Sequence, residues 1–118
     1  MKKDNKDVNL EDDAILYLQN MIAGENHAIE SWNSTKDEKY LKIAKELRKN
    51  RSKMLYRLVP NNKAEDYCLS KHLLASSMAL KELGNRFTED NDEKLAKECF
   101  EESRLYENLF KFIIGGKK

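Results

Sequence analysis

The chain has 118 residues, 40% of them hydrophobic and 36% charged, with one proline and four glycines, which is the size of one domain and the composition of a helical one. Lys+Arg at 22 against Asp+Glu at 21 leaves a net charge of +1, so no global field demands a nucleic acid or a membrane as partner. No stretch approaches the roughly 18 apolar residues of a membrane span, and the opening Met1-Lys2-Lys3-Asp4-Asn5-Lys6-Asp7 leads into no apolar signal core; a cytoplasmic protein with no membrane partner is expected.

Four segments of similar length each carry an apolar stripe spaced alternately three and four residues apart, the period of a helix facing a core. The first, placed near 10–33 after a flexible segment 1–9, aligns Ile15, Leu18, Ile22, Ile29 and Trp32, with Asn9 as cap and Glu11, Asp12 and Asp13 in the first turn. Thr35 with Glu38 reads as a capping box that opens the second. Its stripe is Tyr40, Ile43, Ala44, Leu47, Met54 and Leu58, ended by Val59-Pro60-Asn61-Asn62. Asn62 with Glu65 caps the third, which carries Leu69, Leu73, Ser76, Leu80, Leu83 and Phe87, with Gly84 as a candidate terminator. Asp90 with Glu93 starts the fourth, whose stripe is Leu95, Cys99, Tyr106, Leu109 and Ile113 before Gly115-Gly116 and a flexible tail 115–118. Four helices of about 22 residues on short turns predict an all-α, antiparallel up-down-up-down four-helix bundle over 10–114.

Polar residues interrupt these stripes. Glu25 falls between Ile22 and Ile29, Arg51 between Leu47 and Met54, and Glu102 between Cys99 and Tyr106, while Glu98, Asn50 and His72 flank them. Threaded antiparallel at about 1.5 Å per residue, they gather in one buried polar tier, and a buried charge must be paired or hydrogen-bonded. A structural network that fixes register is one reading. A ligand or metal site built from Glu25, Glu98, Glu102 and His72, with Arg51 as an anion anchor, is the other. The di-iron bundle pattern needs a Glu-x-x-His on each of two helices. This chain has none, Glu25 and His27 sit about 200° apart on their helix, and Arg51 would repel a cation. No metal and no cofactor are therefore expected.

Cys68 and His72 are spaced i, i+4, but two ligands do not make a zinc site. Cys99 is expected roughly 18 Å from Cys68 along the axis, too far for a third ligand or a disulfide, so both cysteines are read as reduced thiols. Ser76 and Ser77 are mid-helix serines with no strained elbow, and there is no glycine-rich phosphate loop. Catalysis thus has no candidate residues.

The small net charge hides a segregation. Residues 11–33 carry five acids and no Lys or Arg, residues 34–63 ten basic against three acidic, and residues 88–109 eight acidic against three basic. Lys39, Lys42, Lys45, Lys49 and Lys53 form a candidate basic patch on helix 2, able to take phosphates without sequence specificity. No aromatic interleaves them in this reading, and acidic helix 1 is expected to pair with them. Helix 3 adds Tyr67, Leu74 and Met78 on the face opposite its stripe, which makes it apolar nearly all round and a candidate interface for a homodimer or another protein.

Through Glu25-Asn26-His27, Leu47-Arg48-Lys49-Asn50-Arg51-Ser52-Lys53 and above all Tyr67-Cys68-Leu69-Ser70-Lys71-His72-Leu73-Leu74-Ala75-Ser76-Ser77-Met78, the chain resembles a group of small, uncharacterised prokaryotic four-helix proteins. The resemblance covers about residues 15–110, implies the same helical fold, and brings no established activity. The expectation is a non-enzymatic helical protein that works by self-association or protein docking.

Overall fold

The computed structural model describes the backbone of residues 2–59 and 64–115, with side chains from Leu10 onward. Four helices follow one another: α1 (Lys2–Thr35), α2 (Glu38–Leu58), α3 (Ala64–Glu89) and α4 (Glu93–Ile114). The described residues contain no strand, and the fold is all-α, four-helix and antiparallel, as the periodicity implies. The chain divides into two compact units, Met1–Leu58 and Val59–Lys118, each a helical hairpin: α1 against α2, and α3 against α4.

Helix α1 starts eight residues earlier than expected. Residues 2–9 hold neither glycine nor proline, so nothing stops the helix from propagating back through Asn9, whose capping propensity is overridden. The stop at the other end is sharper. Lys36 adopts φ 57°, and its N–H reaches Trp32 O at 2.7 Å, a left-handed C-terminal closure. The restart belongs to Asp37, not Thr35. Asp37 Oδ1 accepts from Lys39 N at 3.1 Å, whereas the Thr35 hydroxyl turns back to donate to Ser31 O and accepts only from Asp37 N.

In the first hairpin Ile15, Leu18, Gln19, Ile22 and Ala28 of α1 are buried, together with Ala44, Arg51 and Leu55 of α2. Gly24 lets the helices close: a Cβ there would stand 3.1 Å from Leu47 Cδ1. Ile29 and Ile43, both expected in the core, are 36% and 46% exposed.

The second hairpin closes through a turn of three residues. Asn91 N bonds to Thr88 O and Asp92 N to Phe87 O, the paired bonds of a Schellman motif with Asn91 in the left-handed position at φ 63°. Asp92 then caps α4 by accepting from Leu95 N at 3.2 Å, two residues later than the expected Asp90, which is consumed by the end of α3. The expected cap pair Asn62 and Glu65 involves a residue outside the described ones, as do Pro60, Asn61 and the tail beyond Gly115.

Small residues bring α3 and α4 together. Ser70, Ser77 and Gly84 are buried on α3, and Ala96 and Ser103 on α4, each set repeating every seven residues. Ser103 Oγ donates to the backbone carbonyl of Ser77 at 2.7 Å, an approach that a larger side chain at either place would prevent. Gly84 does not end α3; an added Cβ would lie 2.5 Å from the Phe100 ring, so the glycine is the floor on which that ring rests. This seam corrects the expected rotation of α3. Leu74, assigned to an outer interface with Tyr67 and Met78, is fully buried, and those two are half-buried. Leu69 and Leu83, assigned to the core, are 51% and 46% exposed.

Two substitutions test this account. Gly84→Ala is expected to destabilise the protein by about 1–3 kcal/mol, as overpacking does, and Phe100→Leu in the same chain to recover part of the loss; thermal melts of the single and double variants read both. Asn91→Ala is expected to cost about 1 kcal/mol through its left-handed backbone, and Asn91→Gly to cost nothing, as measured by denaturant unfolding.

Candidate functional site

The polar tier read from the sequence resolves into one buried network and several surface residues. Glu25 on α1 and Arg51 on α2 form the network. Arg51 Nη2 donates to Glu25 Oε1 at 2.8 Å, with side chains 4% and 15% exposed. Arg48, one turn earlier and 68% exposed, reaches the other carboxylate oxygen, Nε to Oε2 at 3.2 Å. One carboxylate therefore serves two guanidinium groups, one dry and one wet. Arg51 Nε finds no hydrogen-bond partner, so the pair is strongly held but not saturated.

The other members of the expected tier lie on the surface. His72, Glu98 and Glu102 are exposed, and Asn50 is exposed with its amide nitrogen turned to Glu46 O at 3.0 Å. The reason is rotational. The buried line of α4 runs through Ala96, Ser103 and Phe110, and Glu102 stands one residue, about 100°, away from it. There it accepts a 2.8 Å hydrogen bond from the Tyr106 hydroxyl. That bond and the carboxylate's charge raise the Tyr106 pKa above the ordinary 10.0, because both favour the protonated phenol.

Among the described residues no group of three or more His, Cys, Asp or Glu is placed to hold a metal ion. Cys68 is exposed and Cys99 half-buried, both as free thiols. Lys81 and Glu107 bridge α3 to α4 at 2.7 Å. Near the α3–α4 turn, Thr88, Ala96, Phe100 and Arg104 line an open groove. No described helix is long and apolar enough to cross a membrane.

Two surfaces remain that the hairpins do not bury. On α2, Lys39, Lys42, Lys45, Lys49 and Lys53 are all exposed, as expected of the basic patch. On the second hairpin, the line Leu69, Leu73, Ser76, Leu80, Leu83 and Phe87 is half-buried or exposed throughout. By the 100° rotation per residue it lies about 80° from the Ser70/Ser77/Gly84 seam. The α4 line Leu95, Cys99, Tyr106, Leu109 and Ile113, likewise half-buried or exposed, is rotated from its own seam by about 80° in the same sense. Antiparallel partners are related by a local two-fold axis, so equal senses of rotation bring both lines to the same side of the hairpin.

Sequence reasoning found every residue of this face but assigned it to the core. The signal that was missed is the heptad of small residues beside it, which marks the contact of α3 with α4. Comparison with protein-family models, with curated proteins and with solved structures returns no match.

The network makes a distinct claim about stability. Glu25→Ala strands the buried Arg51 charge and is expected to cost about 3 kcal/mol or more, while Arg48→Ala, at an exposed position, costs less than about 1 kcal/mol. Replacing both partners at once, Glu25→Leu with Arg51→Met, is expected to recover most of that loss, and chemical denaturation of the three variants measures it. Glu102→Gln is expected to bring the Tyr106 titration back toward 10.0, followed by phenolate absorbance.

Proposed function

We propose that this is a non-enzymatic helical protein that works by self-association, its second hairpin docking on a second copy of the chain through the α3–α4 apolar face. The observation that carries the reading is the pair Leu69 and Leu83, 51% and 46% exposed on one line of α3. Leu95 and Leu109, 39% and 41% exposed on α4, extend it on the same side. Scattered apolar residues on a surface need no explanation, but an ordered line of them across two helices marks an interaction face.

A second copy suits this face for an electrostatic reason. Near the α3–α4 turn the α3 line is bordered by Arg86 and the α4 line by Glu98, both exposed. A two-fold axis parallel to the helices sets α3 of one copy over α4 of the other, so Arg86 of each copy meets Glu98 of its partner. The homodimer expectation is retained, with its residues moved from Tyr67, Leu74 and Met78 to Leu69, Leu73, Leu80 and Leu83.

Light scattering on a sizing column tests this. The full chain is expected at twice the monomer mass of 13.8 kDa, and a Leu69→Lys, Leu83→Lys variant at the monomer mass with unchanged helical circular dichroism. Leu74→Ala is expected to lower stability by about 2–5 kcal/mol without dissociating the dimer at native conditions. A monomeric wild type, or a double variant that remains dimeric, would overturn the assignment.

A further inference from the structure

The basic face of α2 is free because the arginines and the lysines of that helix do different work. Between Lys39 and Arg57 there are eight basic residues and one acid, Glu46. Acidic α1 meets this excess through Glu25, which pairs with Arg48 and Arg51. Lys39 has its own neighbour, Asp37, at 3.9 Å. Lys42, Lys45, Lys49 and Lys53 are exposed and take part in no ion pair among the described residues. The expected cross-pairing with α1 therefore exists, but it spares the lysines.

Their spacing completes a surface. Lys42, Lys45, Lys49, Lys53 and Tyr56 follow one another at intervals of three, four, four and three residues, along one side of the helix for about 21 Å. This line is opposite the buried Ala44, Arg51 and Leu55. Tyr56 is 60% exposed, a phenol ring standing in water at the end of a row of ammonium groups. Tyr56 thus ends the row with an aromatic ring, although none interleaves Lys42, Lys45, Lys49 and Lys53. Row and ring together match a strand whose phosphates are separated by single nucleotides and whose bases are free to stack. A lipid surface would call for apolar side chains within the row, and Lys42, Lys45, Lys49 and Lys53 enclose none.

We infer that the outer face of α2 binds single-stranded nucleic acid, its lysines on consecutive phosphates and Tyr56 stacked on a base. This surface is separate from the apolar face of the second hairpin. Binding is without base sequence preference, since the lysines are engaged with phosphates and Tyr56 with the face that every base presents.

Fluorescence anisotropy of a labelled oligothymidylate of about twenty nucleotides, titrated with the full chain, tests the inference. Four phosphate contacts on a single strand give a slope of log affinity against log salt near −3, or about 50-fold weaker binding between about 50 and 200 mM salt. Lys42→Glu, Lys45→Glu, Lys49→Glu in one chain is expected to weaken binding by more than about tenfold, and Tyr56→Ala by about fivefold or more; circular dichroism checks that both retain their helices. No binding by the wild type, salt-independent binding, or an affinity that Tyr56→Ala leaves unchanged would overturn it. So would tighter binding to a duplex of the same length or to vesicles of phosphatidylserine in phosphatidylcholine, since either would make the face a generic cationic surface or a membrane contact.

Discussion

The close approach of α3 to α4 is the constraint on which the second hairpin depends. A serine hydroxyl reaching a backbone carbonyl of the neighbouring helix at 2.7 Å requires that neither helix carry a large side chain between them. Ser70, Ser77, Gly84, Ala96 and Ser103 meet that requirement. Once those residues are turned inward, every other residue of α3 has its direction assigned. Leu74 is carried into the seam because it is four residues from Ser70 and three from Ser77. Leu69 and Leu83, each one residue and about 100° before Ser70 and Gly84, are carried to the flank, and Leu73 and Leu80 stand half-buried on the side of the seam away from Leu74. The apolar face is thus a geometric consequence of small residues, and the leucines on it have no vote in where they point.

This explains which parts of the fold were legible in the sequence. Helix number and order follow from the three-four period, and the breaks from chain chemistry at Thr35–Glu38 and Glu89–Glu93. Those are local properties, set within a few residues. Rotation about the helix axis is not local. On a helix such as α3, apolar nearly all round, hydropathy assigns the core to the side with more leucine, yet the tighter contact is made by the side with serine and glycine. The cap positions failed more narrowly, by two residues each. Asp37 displaced Thr35, and Asp92 displaced Asp90, because closing the preceding helix uses the earlier residue.

The polar tier shows the same division between height and rotation. Glu25 and Arg51 were legible because each stands on its own helix's buried side and the two helices are neighbours in the chain. Asn50 and Glu102 are each one position, about 100°, from a buried residue, and in the structure both are exposed. What places a residue in a buried network is therefore its angle first and its height second.

Arginine and lysine on α2 divide by the same logic, reinforced by their chemistry. A planar guanidinium can share one carboxylate with a second guanidinium and can be desolvated at tolerable cost, whereas an ammonium is strongly hydrated and is best left in water. Glu25 accordingly collects two arginines, and Lys42, Lys45, Lys49 and Lys53 are left exposed on the far side of the helix. A helix with the same net charge but with Arg48 and Arg51 exchanged for lysines on the outer line would present a different surface and a weaker seam. The charge on the outer face of α2 is thus set by which basic residues the interior of the first hairpin takes up. The apolar face of the second hairpin is set, in parallel, by how that hairpin spends its small residues. In each case the surface available for binding is what the hairpin's own contact leaves over, and the two remainders respond oppositely to salt: screening weakens the ammonium row, while excluded salts such as sulfate strengthen burial of leucine.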